Sequence, residues 1–190
     1  MIIATTPEAE ATGEVADLYE AERRETGYIP SHTFAMAVNP AAFAGFQQIV
    51  KSTVGTLGLR RYELVTLAAA RGRGSRHCRL AHGAKVLAKG VAEAPQLERI
   101  ALDYAHADLS DAEVAMMRFA EKAASDASSM TDADSLELRA HGFSDREIAD
   151  IAIAAAVRVY LGTLLQSLAV DVDEPPSLGE ELREALVRGI

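Results

Sequence analysis

The second half of this chain repeats one helix-start signal. Ser110 is followed by Glu113, Ser144 by Glu147 and Ser177 by Glu180, and Thr131 with Asp134 is a weaker version. In such a capping box the hydroxyl accepts from the third backbone amide, while the acid reaches back to the amide of the capping residue. The spacing predicts helices over about 111–125, 132–140, 145–169 and 178–188. The first half is punctuated differently. Val15, Leu18 and Tyr19 recur at helical spacing within 13–26. "GYIPSHTFAMAVNP" reads as a connector with a short helical turn. Asn39-Pro40 supplies a capping side chain and a proline at the first helical position, opening a helix through "AAFAGFQQIVKST". "RRYELVTLAAAR" follows Leu59 and breaks at Gly72-Arg73-Gly74. Ser75 caps the next helix, which ends near Gly90. No alternating β-branched run and no Asn-Gly or Asp-Gly hairpin signal interrupts this pattern. The fold class expected is all-α, with about eight or nine helices.

Composition narrows the function classes. The 190 residues carry 28 acidic against 19 basic side chains, a net charge of -9. That balance disfavours a nucleic-acid surface or a polybasic membrane contact, both of which need clustered positive charge. One domain over 1–190 is expected, with a helical extension over about 1–30 and a final helix over about 177–190. Cys78 is the only cysteine, so no internal disulfide can form. The N-terminal residues lack a basic start followed by an apolar run, and "IADIAIAAAV" reads as too short to span a bilayer. A cytoplasmic protein without membrane association is expected.

Chemistry concentrates in "GRGSRHCRLAHGAKVLAKG", residues 72–90. With Ser75 as N-cap, Cys78 falls in the first helical turn, where unpaired amides and the helix dipole favour a thiolate. Arg73, Arg76 and Arg79 add positive charge nearby. His82 lies four residues beyond Cys78 on the same face, placed to act as its base. Glu63, on the preceding helix, can orient a histidine once the Gly72–Gly74 break folds the two helices together. The same residues suit a plain helix start, a small buried cysteine and a core histidine. Zinc held by Glu63, His77, Cys78 and His82 is disfavoured, because structural zinc sites bring paired cysteines or histidines. His32 reads as a loop histidine, and His106 and His141 as residues near helix C-termini. Met116, Met117 and Phe119 read as core or a subunit contact. "YELVTLAAARGRGSRHCRLAH" and "REIADIAIAAAVRVYLGTLLQ" share a register that aligns Glu63 with Glu147 and Cys78 with Gly162, the pattern expected of two related helical hairpins.

Glu63, position 75, His77, Cys78 and His82 reproduce the spacing Glu-x11-Cys-x-His-Cys-x3-His. In this the chain resembles the alkylhydroperoxidase D-like (carboxymuconolactone decarboxylase-like) superfamily, in its peroxidase-related branch. The likeness extends over roughly residues 25–172. It implies a helical homo-oligomer in which Cys78 attacks a hydroperoxide while Glu63, His77 and His82 relay the proton. Neither a cofactor nor a metal is implied. The departure is Ser75, which stands where redox members carry the cysteine that closes a disulfide. The expectation is therefore a one-cysteine peroxidase that relies on an external thiol reductant. A non-redox acid–base enzyme using His82 and Glu63 on a small organic acid or lactone, or a non-catalytic helical oligomer, are the other readings.

Overall fold

The computed structural model describes residues 1–190 and contains ten α-helices, three short 3-10 turns and no strand. Its helices start where the capping chemistry places them. Asn39 accepts from the Ala42 amide at 3.1 Å and opens α3 (Pro40–Leu57), after α1 (Gly13–Thr26) and α2 (Ser31–Met36). The chain then builds α4 (Leu59–Arg73) and α5 (Arg76–Ala88). Complete capping boxes open α7 (Asp111–Ser125) and α9 (Asp145–Ser167), and α8 (Asp132–Ala140) keeps the half in which Asp134 accepts from the Thr131 amide at 2.7 Å. Two details differ from expectation. A helix, α6 (Ala94–Asp103), forms with a proline in its first turn, a start signal the capping pattern did not include. At the C-terminus the Ser177–Glu180 box does not form. The Leu178 amide turns back onto the Pro175 carbonyl, so α10 (Glu180–Val187) starts instead after Gly179.

Helix α4 is the axis of the molecule. From Tyr62 to Ala70 every residue is buried, because α4 packs against α7, α9, α5 and α3 at once. Small residues make this possible. A Cβ on Gly72 would strike the main-chain carbonyl of Glu121 on α7. Two residues on, Gly74 ends α4 in the left-handed region at φ 69°, where a side chain is strained. The Gly-Arg-Gly break is thus a close helix crossing followed by a reversal.

The sequence echo is realised in two ways. Its first copy is the broken pair α4–α5, and its second runs through α9 without interruption. In this register Ala156 and Arg158 stand where Gly72 and Gly74 break α4, so the second copy has no glycine there to break the helix. Gly162 packs instead against Arg73 and Ser75, where a Cβ would lie 3.5 Å from Ser75 Oγ. At 23 residues α9 is long and apolar enough to cross a membrane by composition alone, contrary to the reading of its apolar core as too short. Here Ile151, Ala154, Ala155 and Leu161 bury against the rest of the chain.

Arg79, expected to lend charge to Cys78, points elsewhere. Its side chain is buried and donates to the carbonyls of Leu186 at 2.7 Å, Ala101 at 2.9 Å and Leu67 at 3.3 Å. Leu186 and Ala101 lie in the last turns of α10 and α6, the negative ends of their dipoles. Burial lowers its pKa to about 10. This one guanidinium joins α4, α5, α6 and α10.

Replacing Arg79 by Met would strip these carbonyls of their donor at about 1–3 kcal/mol per stranded group. Gly72→Ala overpacks a main-chain contact and costs about 1–3 kcal/mol. Both variants are expected to lower the thermal midpoint by about 2–4 °C per kcal/mol, Arg79→Met by more. A scan showing either variant as stable as the parent contradicts these packing assignments.

Candidate active site

The Gly72–Gly74 reversal folds α5 back beside α4, and the two helices share the chemistry between them. Ser75 accepts from the Cys78 amide at 3.3 Å, which fixes Cys78 in the first turn of α5. Across the hairpin, His82 Nδ1 and Glu63 Oε2 are 2.6 Å apart. The Glu63 side chain is wholly removed from solvent, with 0% exposed. Burial pushes its pKa up, but His82, the bond between them, Lys85 and Arg158 prevail and hold it below the usual value. Ionised Glu63 therefore accepts from Nδ1–H, which leaves the lone pair of His82 on Nε2.

That lone pair is taken. Arg158, buried on α9, donates from Nη1 to His82 Nε2 at 2.8 Å and from Nη2 to Tyr62 Oη at 3.4 Å. Its guanidinium lies 5.5 Å from the centre of the Phe46 ring. The result is a buried ion pair, Glu63 and Arg158, with an imidazole between the charges. Burial lowers the pKa of His82, Glu63 opposes, and Arg158 and Lys85 lower it further, so the ring is neutral at pH 7. Two atoms here remain unspent: Glu63 Oε1 and Arg158 Nε are buried without a partner. The set can accept a proton at an imidazole and offer a guanidinium N–H to an anion.

The other expected site residues divide. Cys78 is 1% exposed and packs with Met36, Phe43, Ala70, Leu161 and Leu165. Both ring nitrogens of His82 are bonded to Glu63 and Arg158, and none to the thiol. His77 stands apart from the Glu63–His82 pair. Its Nε2 lies 3.1 Å from Nδ1 of His32, with Asp173 close by. Burial lowers the pKa of His77 against the pull of Asp173. Burial, with His77, His82 and Arg158, takes His32 down to about 3. His32 is thus not the loop histidine expected but a half-buried member of α2. Arg158 was the residue missed. The signal for it is a lone cation within the otherwise apolar stretch "IAIAAAVRVYLGTLL". A charge placed there has to find a buried partner.

No protein-family model and no curated protein sequence matches the chain. Several solved structures share its fold. An alkylhydroperoxidase AhpD core, an uncharacterized peroxidase-related protein from Ralstonia eutropha JMP134, superposes with a TM-score of 0.80 at 20% identity, over 98% of this chain and 96% of that one. An uncharacterized peroxidase-related protein from Silicibacter sp. TM1040 gives a TM-score of 0.74 at 23% identity, over 91% and 89%. A cysteine-to-alanine variant of the debrominase Bmp8, in complex with 2,3,4-tribromopyrrole, gives 0.77 at 14% identity, over 98% and 96%. The chain therefore has the all-α, AhpD-like fold that its sequence resembles. Its neighbours in fold include enzyme-type proteins of more than one chemistry.

The electrostatics give a directional test. His82 should titrate below its ordinary 6.5. A folded-state value below the unfolded one means its stabilising contribution is complete above pH 6.5 and is lost as the pH falls through the folded value. Glu63→Gln keeps an acceptor for Nδ1–H but removes the charge, so the titration should move lower still; Arg158→Gln should move it up. NMR of ¹³C-labelled histidine across pH reads both shifts, and a rise in Glu63→Gln would refute the charge arrangement.

Proposed function

We propose that this chain is a one-cysteine, thiol-dependent peroxidase. The observation that carries the reading is the buried Glu63–His82 pair. It sits on the same helical hairpin whose capped first turn holds Cys78, in a fold shared with peroxidase-related proteins. In the reaction Cys78 gives up its proton to the His82–Glu63 pair, with Arg158 moving off Nε2. The thiolate attacks the terminal oxygen of a hydroperoxide. The sulfur–oxygen bond forms as the oxygen–oxygen bond breaks, and the alkoxide recovers the proton and leaves as an alcohol. One external thiol then condenses with the sulfenic acid, releasing water and forming a mixed disulfide. A second thiol frees Cys78 and leaves as the oxidised disulfide. Ser75 has no sulfur with which to close a bond to Cys78, so resolution falls to these external thiols. His77 acts in this scheme by flanking the thiol. The homo-oligomer implied by the resemblance has an apolar face available, with Ile49 on α3 and Ile153 and Tyr160 on α9 exposed.

One observation favours a second reading. Both His82 nitrogens are bonded within the Glu63–Arg158 chain and the thiol joins neither. An acid–base enzyme acting on a small organic anion would use that chain directly, with Arg158 as the anion's partner.

Hydroperoxide consumption in the presence of a small dithiol separates the two. Cys78→Ser is expected to abolish it, and Glu63→Gln to slow it about 10²–10⁴-fold, the span of a lost acid–base contribution. Full activity in Cys78→Ser would end the peroxidase reading. Turnover of an organic anion that survives Cys78→Ser but is lost in His82→Ala would establish the second.

A further inference from the structure

The peroxidase scheme leaves His32 and Asp173 without a role, yet both converge with His77 on one point. His32 belongs to α2, His77 to the first turn of α5, and Asp173 to the segment between α9 and α10. One ligand-type atom from each lies within 4.8 Å of the other two, and the two imidazole nitrogens are 3.1 Å apart. All three residues are buried or half-buried. Asp173 bonds to neither histidine. Its oxygens accept from Ser31 Oγ at 2.6 Å and from the Ser31 amide at 2.8 Å. A simple hydrogen-bonded triad would close the carboxylate onto an imidazole at about 2.8 Å. Here Ser31 braces the carboxylate while it stands beside the histidine pair.

We infer that His32, His77 and Asp173 form a binding site for a divalent transition-metal ion of the zinc type. Two imidazoles and a carboxylate are a zinc donor set, and bonds of about 2.0–2.1 Å at the tetrahedral angle place two ligating nitrogens about 3.3 Å apart. The observed 3.1 Å is a hydrogen bond between the two rings, so their nitrogens already have the spacing of a ligand pair, and turning the rings toward Asp173 would exchange that bond for two bonds to the ion. Ser31 is the outer-shell partner that a ligating carboxylate requires. Three protein ligands leave one position of the tetrahedron for water or an anion. The same donors suit ferrous iron, but the usual affinity order favours zinc. A bound ion would tie α2 and the segment after α9 to the turn that carries Cys78.

The test is calorimetric titration of the chelator-stripped, full-length protein with Zn²⁺. One equivalent per chain is expected. His32→Asn and Asp173→Asn should each weaken binding at least tenfold. Ser31→Ala leaves every ligand and the core in place and should weaken it about tenfold. Circular dichroism of each variant confirms that it is folded, and Ser31→Ala decides the matter if a ligand variant is not. Cys78→Ser should bind zinc as the parent does, which keeps this result separate from that of the peroxidase assay. The inference is overturned by the absence of saturable binding, by parental affinity in His32→Asn and Asp173→Asn, by parental affinity in Ser31→Ala, or by loss of binding in Cys78→Ser.

Discussion

A carboxylate with no exposed surface sits in the second turn of the most enclosed helix of this protein, and that helix is sustainable only because two other helices deliver groups to it. Glu63 receives a hydrogen bond from His82 on α5 and, across the imidazole, the charge of Arg158 on α9. Removing either partner would leave a buried charge uncompensated, among the costliest defects a folded chain can carry. The relative placement of α4, α5 and α9 is therefore set by electrostatics as much as by apolar packing.

Two buried arginines divide the labour of the bundle. Arg158 faces the ionisable cluster and keeps its Nε–H unspent. Arg79, only one residue from Cys78 in sequence, turns away and gives its donors to main-chain carbonyls of three other helices. Helix α5 thus sends His77 toward α2, His82 toward α4, and Arg79 and Gly83 toward α10. Gly83 admits the Leu186 side chain, 2.5 Å from where a Cβ would sit, so α10 can lie close on α5. A charge count along the sequence does not distinguish these two kinds of arginine, because the difference lies in which way each side chain leaves its helix.

What could be read from the sequence was what is local. Capping boxes at Ser110 and Ser144, the half-box at Thr131, the Asn39 cap and the Gly72–Gly74 break are interactions over a few residues, and each formed. The Glu63–His82 pair was legible because the hairpin that joins it is itself a local signal. The partners that reach these residues from far along the chain were not. Arg158 comes from 76 residues beyond His82, and His32 from 45 residues before His77. Ser177 failed as a cap because Pro175 drew the chain into a turn, a competition between two local signals.

The same separations order the events of synthesis. The α4–α5 hairpin can close soon after its residues emerge, bringing Glu63 to His82. Its counter-charge, Arg158, arrives only after another 76 residues, about 4–15 s later at ordinary elongation rates. The bond between Ser31 and Asp173 closes a span of 142 residues and is made later still. A nascent chain halted before α9 therefore holds its buried carboxylate without that counter-charge. Closure of the compact state therefore waits on α9 and the segment after it, which bring Arg158 to His82 and Asp173 to Ser31.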